Sequence, residues 1–278
     1  MEKKQIIAIA AVVVVIVAAV GIALAMNNNG GNSGKKINSV DDLSGATIGV
    51  VKGYTGETFV LLDKEDEVLS KDTKVNAYTT GAVAIDALKQ GYVDCVIIDE
   101  QPAKKFVEKN SGLKILDTKY IEESYAFAVK KGNTDLLGLI NGALDALKED
   151  GTLAKIEAYY YEGTGEKYQR ADEDYTNGTL NMITNAYFPP YESFEDGGDS
   201  GNIVGLDVDV MEAICSKLKM KLSCESMEFG SLIGVLEGSK NTDNYVIGAG
   251  MTVTEERKAS VDFTSSYTKS VQVIITKA

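Results

Sequence analysis

The densest group of ligand-holding residues in this chain runs Gly248-Ala249-Gly250-Met251-Thr252-Val253-Thr254-Glu255-Glu256-Arg257. The apolar run Tyr245-Val246-Ile247 ends at small residues, which let a ligand approach the backbone closely. Free N–H groups at a following helix start favour an anion. Thr252 adds a hydroxyl, and Arg257 can fork onto a carboxylate with two parallel hydrogen bonds. A surface turn in which Arg257 pairs with Glu255 or Glu256 is the plainer reading of the same residues.

Two more places could face a ligand. Gly53-Tyr54-Thr55-Gly56-Glu57 follows the strand Ala46 to Val51 and opens a helix, so it is either a second anion site or an ordinary cap. Asp99 ends the apolar run Val93 to Ile98, where ligand contacts gather in open α/β sheets; helix capping before Pro102 is the alternative. Asn185 and Phe188 follow the strand that starts at Thr179, and Pro189-Pro190 stiffens the loop behind them. Phe188 and Phe229 serve equally well as ligand walls or as plain core.

These groups need elements to hold them, and the pattern supplying them is α/β. Short apolar strands alternate with amphipathic helices at Ala82 to Leu88, Thr134 to Glu149, Gly151 to Tyr161 and Gly205 to Leu218. Leu113 to Leu116 and Tyr125 to Val129 read as strands, with Thr118 to Ser124 crossing between them, and Ser270 to Ile275 reads as the last strand. Glu162 to Gly178 is polar and Gly-rich and reads as a linker, with a glycosylation sequon at Asn177-Gly178-Thr179.

Composition narrows the function. A net charge of −13 argues against nucleic acid or an anionic membrane surface as partner. The absence of His removes Ser-His and Cys-His catalysis and the usual zinc sites, so no metal and no cofactor is expected. Met1-Glu2-Lys3-Lys4 precedes an uncharged run from Ile6 to Met26, long enough to cross a bilayer as a helix. Its length favours an uncleaved anchor over a removed signal peptide, with everything after Asn27 outside the membrane. Outside, Cys215 and Cys224 either form a local bridge or, like Cys95, stay buried free thiols.

Taken together, Ile48 to Phe59, Gly151 to Tyr160, Asn185 to Glu192, Gly205 to Val210, Phe229 to Leu232 and Ala249 to Phe263 resemble the family 3 solute-binding proteins, the polar amino-acid receptors of ABC importers. The resemblance implies a two-lobed periplasmic-binding-protein-like (type II) fold, each lobe a doubly wound α/β sheet, behind an N-terminal transmembrane helix. The order of segments differs from the family's and reads either as a circular permutation or as a segment or rearrangement of a tandem array. Residues 1–36 are the anchor or signal and tether, 37–122 lobe 2, and 123–162 the hinge and C-terminal part of lobe 1. Residues 163–178 join the family's termini, and 179–278 form the main part of lobe 1. One covalent crossing, near Tyr120 to Tyr125, is expected to join the lobes, which leaves room for exchange of lobes between chains.

The resemblance also implies roles. Arg257 would clamp the α-carboxylate of a free amino acid, aided by Thr252, the Gly250 backbone and the Thr55 backbone. Asp99 would accept the α-ammonium. Phe188 and Phe229 would enclose the side chain, with Asn185 facing its polar end. Members preferring cationic amino acids often carry Asp at the position of Asn185, and glutamine-preferring members often have Lys near Val51; this chain has neither, which favours a neutral polar ligand. The expected function is an extracytoplasmic receptor, cell-surface or periplasmic, that closes around its ligand and delivers it to an ABC permease. An anchored sensory receptor on the same fold is the alternative. An enzyme is not expected, because no acid–base set accompanies the missing His.

Overall fold

A computed structural model describes residues 34–171 and 173–278. The expected membrane helix and most of the tether lie outside those residues. Among the described residues no helix is long and apolar enough to cross a membrane.

The chain first builds β1 (Thr47–Val51), α1 (Thr55–Glu65), β2 (Lys74–Tyr78), α2 (Gly81–Gln90), β3 (Cys95–Asp99) and α3 (Glu100–Glu108). β1 pairs in parallel with β2 and β3. All five residues of β3 are buried, so it reads as an unbroken apolar run instead of an alternation. Thr80 caps α2 by accepting from the Val83 N–H, and Gly91 ends it in the left-handed region. Helices cover both faces of this sheet. Val60 of α1 packs with Ile48, Val50 and Cys95. Ala84, Ile85 and Leu88 of α2 join a second cluster on the other side.

β4 (Leu113–Tyr125) then leaves for the other lobe, reaching β5 (Ala128–Lys130), α4 (Thr134–Glu149) and α5 (Thr152–Glu162). After the linker come β6 (Thr179–Thr184), β7 (Tyr187–Phe188), β8 (Glu192–Phe194), β9 (Ile203–Val204), α6 (Leu206–Leu218), β10 (Lys221–Ser226) and α7 (Leu232–Gly238). β11 (Tyr245–Ile247), α8 (Glu255–Ser260), β12 (Val261–Phe263) and β13 (Thr268–Lys277) complete the chain. Phe229 lies in a single 3-10 turn ahead of α7, so the helix begins three residues later than its sequence suggests.

The two main sheets share one plan. Their orders are β2-β1-β3-β13-β4 and β10-β6-β11-β5-β12, with β7-β8-β9 forming a small third sheet. In each, three parallel strands are joined by an antiparallel strand that arrives from the other lobe: β13 in one and β5 in the other.

This exchange corrects two expectations. Residues 179–278 do not all belong to lobe 1, because β13 lies between β3 and β4 of the first sheet. Its Val273, Ile274 and Ile275 are buried, as suits a strand of a sheet covered on both faces. The lobes are therefore joined twice, where β4 leads into β5 and where β12 leads into β13. β4 is also one long strand with irregular register against β13, not a short strand followed by a separate crossing segment. Its polar residues are tolerated because it is an edge strand.

The linker is not merely polar tether. Arg170 donates to the Met220 carbonyl at 2.7 Å and the Asp174 carbonyl at 2.7 Å, and lies 4.6 Å over the Tyr175 ring. Cys95, Cys215 and Cys224 are all free thiols.

Candidate ligand-binding site

Where the lobes face each other, Tyr54, Thr55 and Asp99 from lobe 2 meet Phe188, Phe229, Ala249, Gly250, Thr252 and Arg257 from lobe 1. Seven of the eight residues expected at the site thus line one cleft. The eighth, Asn185, stands behind it: its Oδ1 accepts from the Tyr54 hydroxyl at 3.0 Å and its Nδ2 donates to the Met227 carbonyl at 2.8 Å. Its amide reaches the cleft only through Tyr54.

Arg257 is positioned by its own helix start. Thr254 caps α8 by accepting from the Arg257 N–H at 3.2 Å. The guanidinium donates to the Thr252 carbonyl at 2.9 Å and, across the cleft, to the Gly53 carbonyl at 3.2 Å. It also sits 5.2 Å over the Phe229 ring, a cation–π contact. Glu255 is engaged by Lys258 at 2.7 Å, so the surface-turn reading of Arg257 does not hold there. Burial draws the guanidinium's pKa down, with the charge of Glu123 opposing most strongly; it remains a cation.

Asp99 leaves the helix-capping role unused, since its side chain makes no cap hydrogen bond to α3. It is 3% exposed. The Tyr125 hydroxyl donates to it, and the Ser270 hydroxyl lies 3.4 Å from the same oxygen. Burial pushes its carboxyl well above the usual range, and the neighbouring Glu123 pushes further in the same direction.

Glu123 is a site residue that sequence reasoning missed. It is buried on β4 and accepts from the Thr252 hydroxyl at 3.0 Å and from Gln272 of β13 at 2.7 Å. Gln272 also reaches the Thr55 hydroxyl at 3.4 Å. One network therefore ties both lobes to both crossing strands. The available signal was a charge inside the β4 run, but polar residues flank it and nothing local separates it from the exposed Glu122.

The aromatic wall is built from Tyr54, Phe188 and Phe229. Tyr54 meets Phe188 edge-on at 5.2 Å and Phe229 at 4.7 Å between ring centres. Gly250 is required here. Its φ is +50°, and a Cβ would come within 2.5 Å of Phe188 Cε1. Its N–H is already taken by Asp207 Oδ2 at 2.8 Å, so any ligand bond from Gly250 falls to its carbonyl, not its N–H.

The space left between these walls is about 10 Å³, close to one water sphere. An amino acid enters only if the lobes part. A larger groove of about 270 Å³ lies at the start of α4, lined by residues including Asn133 and Leu139. It carries no converging charges, and Asn133 is occupied in capping α4.

Residues 180–278 match the model of the bacterial extracellular solute-binding proteins, family 3. The chain is 40% identical over 98 residues to the arginine-binding extracellular protein ArtP of Bacillus subtilis, covering 35% of this chain and 36% of that one. It is 32% identical over 138 residues to a probable histidine-binding protein of Neisseria gonorrhoeae, covering 48% and 49%. A solved ancestral arginine-binding protein bound to glutamine is 40% identical over 31% of this chain and 36% of its own, with a TM-score of 0.27. The chain thus spans about half or less of the length of the curated relatives it matches.

Proposed function

We propose that this chain is an extracytoplasmic receptor that closes two lobes around a free amino acid and hands it to an ABC permease. The observation carrying this reading is the convergence of Arg257 from one lobe and Asp99 from the other on a single cleft. One zwitterion bridges them, its carboxylate on Arg257 and its ammonium on Asp99. In the closed form described, the guanidinium spends one donor on Gly53 of the opposite lobe. A ligand carboxylate takes over that donor, so ligand and lobe contact compete for the same group. The paired strands β4 and β13 form the hinge.

The ligand we favour is a neutral polar amino acid, since Asn185, which reaches the cleft through the Tyr54 hydroxyl, supplies no anionic partner for a cationic side chain. The names of the relatives, arginine- and histidine-binding, make cationic amino acids the first competitors to test.

We read the segment order as a circular permutation of the family's. The matches are in keeping with this: they cover 48% and 35% of this chain and 49% and 36% of the two relatives, as a collinear comparison interrupted at a permuted junction would. Geometry supports it too. The Lys277 ammonium lies beside Gly91, while the Lys35 N–H donates to nearby Asp94, so residues 35 and 277 share one edge of the lobe.

A thermal-shift screen against the twenty amino acids tests the function. A ligand that binds only the folded protein raises its melting point with concentration. No shift with any of them at millimolar concentration would reject the receptor reading.

A further inference from the structure

Beneath the ligand cleft lie two buried carboxyls that the binding role does not use. Glu192, on β8, is 0% exposed, and no N–H or hydroxyl donor reaches either of its oxygens. Asp207, in the first turn of α6, is the carboxyl beside it and is also 0% exposed. Each Asp207 oxygen accepts one hydrogen bond and keeps a second lone pair. Oδ2 takes the Gly250 N–H at 2.8 Å, and Oδ1 takes the Tyr267 hydroxyl at 2.7 Å.

The two elements are forced together. Gly205 approaches the Tyr191 carbonyl so closely that a Cβ would lie 2.0 Å from it, and its φ of +147° suits glycine alone. The Asp207 N–H donates to that same carbonyl at 3.0 Å. The start of α6 is thereby clamped onto the residue before Glu192.

Because both Asp207 oxygens accept from an N–H or O–H donor, Asp207 is the ionised member, and a hydrogen bond between the two carboxyls needs its proton on Glu192. Two adjacent anions without a cation between them are not sustainable in a buried site. The groups facing Glu192 are Asp207, Asp99, Tyr54 and Tyr267, none of them cationic. We propose that Glu192 is a neutral carboxylic acid donating its proton to Asp207, and that this acid–carboxylate pair is the positioning device that holds the Gly250 turn against the ligand cleft. Burial and the Asp207 charge push the Glu192 carboxyl up, in the same direction as the geometry.

The positioning role rests on the amino-acid-receptor reading; the proton does not. Two measurements separate them. Difference infrared spectroscopy of wild type against Glu192→Gln at neutral pH should show a protonated-acid carbonyl band lost in the variant. Loss of an ionised carboxylate band instead overturns the proposal. Calorimetry with the amino acid found by screening should show Glu192→Gln, whose amide still donates, binding within about threefold of wild type. Glu192→Leu, which cannot donate, should bind about tenfold or more weakly. Equal losses in Gln and Leu variants overturn the positioning role. If the Leu variant does not fold, the infrared band and the Gln affinity decide. If wild type binds no amino acid, the receptor reading fails on its own, and the infrared band still judges the pair.

Discussion

Thr55 and Thr252 stand on opposite lobes with their hydroxyl oxygens 3.5 Å apart. Between them they connect the cleft to the hinge, because Thr252 donates to Glu123 and Gln272 reaches both Glu123 and Thr55. Thr252→Val keeps the shape and removes a donor from a buried carboxylate. The expected cost is about 1–3 kcal/mol of stability by denaturant unfolding. With Thr55→Val added, the two losses should fall short of their sum by about 0.5 kcal/mol or more. Strict additivity would mean that the two hydroxyls do not belong to one network.

Gly250→Ala tests the turn beneath Phe188. The left-handed conformation alone costs an L-residue about 1–2 kcal/mol, and the new methyl meets the Phe188 ring. Both the melting point and ligand affinity should fall. Retained affinity with a lowered melting point would separate the turn from the binding site.

Asp99 should make binding release a proton. Its carboxyl is held above the usual range by burial and by Glu123, so the free protein retains that proton at pH values where an exposed aspartate has lost it. A ligand ammonium needs the ionised form. Between the ordinary carboxylate pKa of about 4 and the raised value, affinity should tighten as pH rises, approaching about tenfold per pH unit. Calorimetry in two buffers of different ionisation enthalpy counts the protons. Asp99→Asn should lose both the release and most of the affinity.

Folding stability should move the other way. Asp99, Glu192 and Asp207 all have carboxyls raised in the folded state, Asp207 to about 7. Through these three groups the folded chain binds more protons than the unfolded one from about pH 4 upward, so their contribution to stability is fully present below that range and is lost as pH rises through it. The melting point should be higher at pH 5 than at pH 8, and Glu192→Gln should flatten the slope. A melting point that rises over this interval would contradict the buried acids.

Much of the candidate site was legible because the groups lining its cleft sit at strand ends followed by helix starts. Arg257, Thr252, Thr55 and Asp99 each follow a short apolar run; that pattern marks them as candidates, the resemblance assigns them to lobes, and the structure brings all four to one cleft. Glu123 and Gln272 were hidden because they act across the β4–β13 ladder, a pairing between residues 149 apart in sequence that no local pattern encodes. Asn185 was assigned to the ligand, but the Tyr54 hydroxyl claims it from the other lobe. The place of β13 is hidden for the same reason. Its apolar run identifies a buried strand, not which of two similar sheets buries it.

The central claim is that Arg257 and Asp99 grip opposite ends of one amino acid. Calorimetric titration of the amino acid selected by screening into wild type and Arg257→Ala tests it most directly. Removing the guanidinium leaves a desolvated carboxylate without its partner, at a cost of about 3–5 kcal/mol, or roughly two to four decades of affinity. The account predicts that loss, with the variant still folded by its melting curve; binding within a few-fold of wild type would contradict it.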